Sequence, residues 1–151
     1  MKHWIPALAL FIIAASIAPA ATIIKLNFPQ VQDLTKALVS LDGSTRLDKD
    51  NAAVQIAYDF KGKTRLAIAK DIKALSDAEA SFVAAWKAYL KGAGITDESK
   101  ETDAQKAKVV ELLSTPTDVE VTLLDPDELV GKDSNPIPPS VLTRLDPILK
   151  K

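Results

Sequence analysis

Residues 63–91, KTRLAIAKDIKALSDAEASFVAAWKAYLK, decide how this chain folds. Ile68, Ile72, Leu75, Phe82, Trp86 and Tyr89 recur at alternating spacings of four and three, with Glu79 as the single polar member of the series. That is the period of one helical face. Trp86 is the only tryptophan besides Trp4, so the pattern predicts the largest buried ring near the end of this helix. Ser76-Asp77-Ala78-Glu79 has the form of a capping box, which would open a new helix. The spacing nevertheless passes through Glu79 in phase, which predicts one continuous helix with Ser76 as the place for a bend. Twenty-nine residues at about 1.5 Å each give roughly 43 Å, more than the roughly 36 Å diameter of a compact domain of this size. Such a helix either protrudes or is covered by a returning partner.

On the N-terminal side, Thr22, Ile24, Leu26 and Phe28 alternate with Ile23, Lys25 and Asn27, the pattern of a short strand. Pro29 suits the first turn of a helix, and Val31, Leu34, Leu38 and Leu41 give that helix an apolar stripe ending at Gly43. Gly43–Asn51 reads as a polar loop, and Val54, Ile56, Tyr58 and Phe60 as a second strand closed by Gly62. On the C-terminal side, Gly92-Ala93-Gly94 stops the long helix. Thr102 or Asp103 caps another helix carrying Ala107, Val110 and Leu113, expected to run back antiparallel and to end at Pro116. Val119, Val121 and Leu123 make a third strand. Asp125-Pro126-Asp127-Glu128 starts a short helical turn, Asn135–Pro139 is a stiff connector, and Val141 to Leu149 form a last apolar stripe. The fold class expected is α+β: a long helical hairpin packed with a small sheet of about three short strands.

Residues 1–21, MKHWIPALALFIIAASIAPAA, place Lys2 before an apolar run and then Ala18-Pro19-Ala20. This is the pattern of a secretory signal peptide cut after Ala20, leaving 21–151 as a single globular domain. No charge falls between Trp4 and Ile24, so an uncleaved anchor through residues 4–24 is the competing reading, and a helix buried in an assembly is a third. A lipid anchor on cysteine is excluded, since the chain has no cysteine. The implied location is periplasmic or secreted, with membrane contact only if the leader stays uncut.

Hydrophobic residues at 47% and charged residues at 26% describe an ordinary globular chain. A net charge of −1 with scattered lysines does not suggest a nucleic-acid partner. The sole histidine, His3, lies in the leader, so the remaining chain has no His-based metal site and no Ser-His-acid triad. Gly62-Lys63-Thr64 stands where a phosphate loop would place its lysine, yet Ala57 occupies the position where that loop requires its first glycine. A turn and helix start is the better account. Acids gather as Asp42, Asp48 and Asp50, and again as Asp125, Asp127, Glu128 and Asp133, without the spacing of a calcium loop. Caps and turns explain most of them. No residue is singled out as catalytic, cofactor-binding or metal-ligating, no cofactor is expected, and the chain is not read as an enzyme.

The order of elements resembles a loose group of short proteins encoded in tailed-phage genomes and prophages, of unknown biochemical function. The segments that carry this are TIIKLNFPQVQDLTKALVSLDG (22–43), KTRLAIAKDIKAL (63–75) and DVEVTLLDPDELVGKDSNPIPPSVLTRLDPIL (118–149). The resemblance covers most of residues 22–149 and consists of apolar and turn patterns. Proteins of that group generally lack an export leader, so residues 1–21 stand outside it. It implies a non-enzymatic interaction or structural protein of phage or prophage origin, acting on an envelope or virion protein or on itself. The alternative is a small periplasmic or secreted ligand-binding or inhibitor module unrelated to phage.

Overall fold

The computed structural model describes residues 21–47, 53–56, 58, 60–97, 101–129 and 136–151. The leader at 1–20 and the acids Asp48, Asp50 and Asp133 lie outside the described residues. In chain order the elements are β1 (Ala21–Leu26), α1 (Phe28–Gly43), β2 (Ser44–Leu47), β3 (Ala53–Ile56), α2 (Gly62–Gly92), α3 (Asp103–Ser114), β4 (Thr117–Thr122), α4 (Pro126–Leu129) and α5 (Pro139–Leu145). A 3-10 turn at Asp146–Ile148 follows.

The long helix forms without a break at Ser76. Ser81 bonds back through its hydroxyl to the Asp77 carbonyl, and Lys73 pairs with Asp77 one turn on. The capping-box residues therefore sit inside a running helix, and the apolar phase outweighs the local start signal. α2 ends in a Schellman arrangement. The Ile95 N–H donates to the Leu90 carbonyl and the Gly94 N–H to that of Lys91, with Gly94 at φ +68°. A residue with a Cβ would be strained there.

α1 covers the first two-thirds of α2 and runs antiparallel to it. Phe28 meets Phe82 edge to face at 5.7 Å, Gln32 donates to Glu79 at 3.1 Å, and at the other end Leu41 and Ile68 line one small cavity. Asn27 caps α1 reciprocally with Gln30, each side-chain oxygen accepting the other's backbone N–H. α3 returns along the last part of α2, as expected, and Thr102 forms the capping box with Gln105.

The strands differ from the expectation. The single sheet of about three strands is replaced by two separate antiparallel pairs. β1 pairs with β4, from Ala21↔Thr122 to Leu26↔Thr117, and β2 pairs with β3, from Ser44↔Ile56 to Leu47↔Ala53. The stretch read as a polar loop at Gly43–Asn51 therefore holds β2. Its strand character comes from pairing with β3, since Ser-Thr-Arg-Leu carries no apolar alternation of its own. β3 also stops short of Tyr58 and Phe60. Those rings are buried and stack on each other at 5.6 Å, so their alternation reflects core packing beyond the strand. After β4 the chain bridges in parallel to its own C-terminus at Leu124↔Leu149.

One cluster forms the core. Leu26 of β1, Val31, Leu34, Leu38 and Leu41 of α1, and Ile68, Leu75 and Phe82 of α2 meet Val119 and Val121 of β4, with Leu129, Leu145 and Ile148 closing it. The fully buried part of α2 comprises Thr64, Ala67, Ile68, Asp71, Leu75 and Phe82, with nothing beyond Phe82. Trp86, expected as the largest buried ring, is only half-buried, and so is Tyr89. Both keep the core's phase around the helix but lie past its end.

Candidate functional site

A polar cleft of about 180 Å³ opens where the start of α2 meets the end of β4, α4 and the C-terminus. Lys63, Thr64, Thr122, Asp125, Glu128 and Lys150 border it. Gly62 opens α2, so Lys63 and Thr64 fall in its first turn, where unpaired backbone N–H groups favour a negative charge. Glu128 supplies that charge. Its Oε1 lies 2.5 Å from the Lys63 ammonium, and its Oε2 accepts the Thr64 hydroxyl at 2.8 Å. The Lys63 and Thr64 hydrogen bonds hold the Glu128 carboxyl below the usual range, and the same contact raises the Lys63 ammonium. The segment Gly62-Lys63-Thr64 is thus a helix start whose anion is the chain's own carboxylate. Lys150 approaches Asp125 at 3.8 Å from the C-terminal tail, and Asp125 accepts the Asp127 N–H in a local turn.

Behind the cleft, one face of α2 runs through Thr64, Ala67 and Asp71, all buried. Asp71 is 1% exposed. Its Oδ1 accepts the Thr122 backbone N–H at 2.8 Å, and its Oδ2 has no hydrogen-bond partner among the described residues. Desolvation pushes its carboxyl up to about 6, against the lowering effect of the Thr122 hydrogen bond and of nearby Lys70.

The structure thus brings together Asp125 and Glu128 from the second acidic group with Lys63 and Thr64, a convergence that sequence separation did not reveal. Asp127 and Asp42 remain exposed. Asp71 was missed altogether, although it lies three positions after Ile68 and four before Leu75, in phase with both. Glu128's oxygens are engaged by Lys63 and Thr64, and Asp71 is sealed from any substrate. The arrangement fastens the start of α2, the end of β4 and the C-terminal tail to one another.

A second concavity, of about 410 Å³, lies between α2, α3 and the start of β4. Ser81, Phe82, Ala85, Leu112 and Pro116 line it, with Lys108 and Glu111 at its border. α3 buries none of its side chains fully, and Val110 is 63% exposed. Among the described residues, no group of three or more His, Cys, Asp or Glu side chains is placed to hold a metal ion, and no helix is long and apolar enough to cross a membrane. Comparison with known protein families, curated proteins and solved structures finds no match to this chain.

Proposed function

We propose that this protein acts by contact with another protein, as a non-enzymatic interaction or structural component of phage or prophage origin that is exported and meets an envelope or virion partner. The observation that carries the contact role is the far half of the helical hairpin. Beyond Phe82, α2 buries no residue fully, and neither does α3. A two-helix arm with Val83, Trp86, Tyr89, Leu90, Val109 and Leu113 only half-buried is a surface suited to a partner. Export and phage origin rest on the leader and on the segments quoted above. A small secreted ligand-binding module is the second reading, favoured by the groove beside Phe82, whose volume falls within the range of ligand pockets.

The chain has no cysteine, so a single introduced thiol can carry a photoreactive probe without background. Val110→Cys on the arm and Lys36→Cys on the exposed side of α1 form the pair to compare in producing cells. Cross-linking to one defined protein from position 110 but not from 36 is the expected result. Equal, diffuse labelling from both positions would count against the arm as the contact surface. Intact mass of the recovered protein tests export: a species beginning at Ala21 is expected, and a stable full-length membrane-bound product would establish the anchor instead.

A further inference from the structure

We infer that Asp71 is a pH-sensitive tie between α2 and the end of β4, whose protonation relieves the cost of a buried charge and so stabilises the fold. The geometry is that of a carboxyl group with one donor and no cation. Oδ1 takes the Thr122 N–H, while Oδ2 is buried without a hydrogen-bond partner among the described residues. An ionised carboxylate satisfied in this way leaves lone pairs dry, which is costly. The proton, taken from solvent, adds to Oδ2 and breaks no bond, since Oδ1 continues to accept from Thr122.

Among the described residues, the elements packed on α2 bring no compensating charge to Asp71. From α1 the buried side chains are Val31, Leu34, Ala37, Leu38 and Leu41. From β4 they are Val119, Val121 and Thr122, while Asp118 and Glu120 are exposed. α3 lies against the opposite end of α2, where Leu112 and Thr115 share a groove with Ser81 and Ala85. The cleft charges Lys63 and Glu128 sit about two turns back along α2 and pair with each other, as Asp125 does with Lys150. Lys70, the neighbour on the helix itself, is exposed and acts on Asp71 only weakly.

The segment held by this tie matters beyond one hydrogen bond. Thr122 pairs with Ala21, the first residue of β1, and Thr122 to Leu124 form a wall of the polar cleft. Proton uptake at Asp71 therefore removes the cost of a dry charge at the place where the sheet end, the cleft wall and the start of β1 meet. The sign follows from a folded-state value raised to about 6 from 3.8. The ionisation penalty is complete above the folded value and disappears as pH falls toward the unfolded one, so stability rises on mild acidification. Between pH 7.5 and pH 5 this group alone shifts the folded-to-unfolded ratio by about tenfold.

The test is urea denaturation of the protein, in the form recovered from producing cells, at pH 7.5 and pH 5, alongside Asp71→Asn. Asparagine retains the acceptor for Thr122 and cannot ionise. The expected result is a higher midpoint at pH 5 for the parent protein and loss of that gain in the variant. If the variant does not fold, carbon-13 NMR of the Asp71 carboxyl in the parent protein gives the answer directly. A titration midpoint below pH 4.5, or a pH gain that is unchanged in Asp71→Asn, would overturn the inference.

Discussion

Leu75 and Trp86 occupy nearly the same side of α2, yet their side chains should contribute very differently to stability. Leu75 is fully buried, between Ile68 and Phe82 along the helix, whereas Trp86 stands past the last buried residue. Leu75→Ala should cost about 2–5 kcal/mol, as cavity-forming changes in well-packed cores do. Trp86→Ala should cost less, about 2 kcal/mol, because the ring is only partly covered. Urea midpoints of the two variants decide it: a larger loss at Trp86 would mean that the arm is covered more deeply than its exposure indicates. Asp71 contributes in the opposite direction. With its carboxyl raised from 3.8 to about 6, keeping it ionised at pH 7 costs about 3 kcal/mol. Its place in the core was hidden in the sequence because an aspartate between two lysines within four positions reads as a solvated helix face. The signal was its phase with Ile68 and Leu75, which only becomes decisive once Thr122 is known to lie opposite.

Local period made most elements legible, and distance along an axis made one of them misleading. In a helix of about 3.6 residues per turn, Thr64 and Phe82 are eighteen positions and so about five turns apart on one line. Trp86 and Tyr89 stay close to that line, so the series of fours and threes could not distinguish them from the core. Periodicity reports the direction a side chain points in, but not whether another element reaches that far. α1 ends its coverage at Phe28 against Phe82, and that limit is a tertiary fact. β2 was illegible for a related reason, since its only support is the register with β3. The cleft escaped because Lys63 and Glu128 are 65 positions apart and meet only when β4 delivers α4 to the start of α2. α3 illustrates the weakest kind of element. It has a complete capping box at Thr102 and Gln105 but no fully buried side chain. Thr102→Ala should therefore cost about 1 kcal/mol, and a large part of the effect should fall on α3 itself. Hydrogen exchange should show α3 amides opening far faster than those of α1 in the parent protein, and faster still in the variant. Equal protection of α1 and α3 would contradict the loose docking described here.

For the molecule as a whole, two carboxyl groups of opposite behaviour shape the response to pH. Asp71 adds stability as pH falls toward 5. Glu128, lowered from 4.5 by Lys63 and Thr64, contributes stability that is complete above its unfolded value and is lost as pH drops through the folded one. Stability should therefore peak in mild acid and fall below about pH 4. Glu128→Gln should flatten the acid limb while leaving the rise between pH 7.5 and pH 5 intact, as thermal melts across that range would show. A profile for Glu128→Gln identical to that of the parent below pH 4 would remove Glu128 from the account. The pairing of β1 with β4 has a consequence in time. Leu26 and Thr117 are neighbours in the sheet but 117 − 26 = 91 positions apart in the chain. At about 5–20 residues per second, a ribosome needs roughly 5–20 s to make the second after the first. Throughout that interval the opening strand has no partner of its own, and Ala21, its first paired residue, is still reachable. A peptidase cutting before Ala21 would have that interval to work in, ahead of the moment when Thr122 arrives and zips the strand shut.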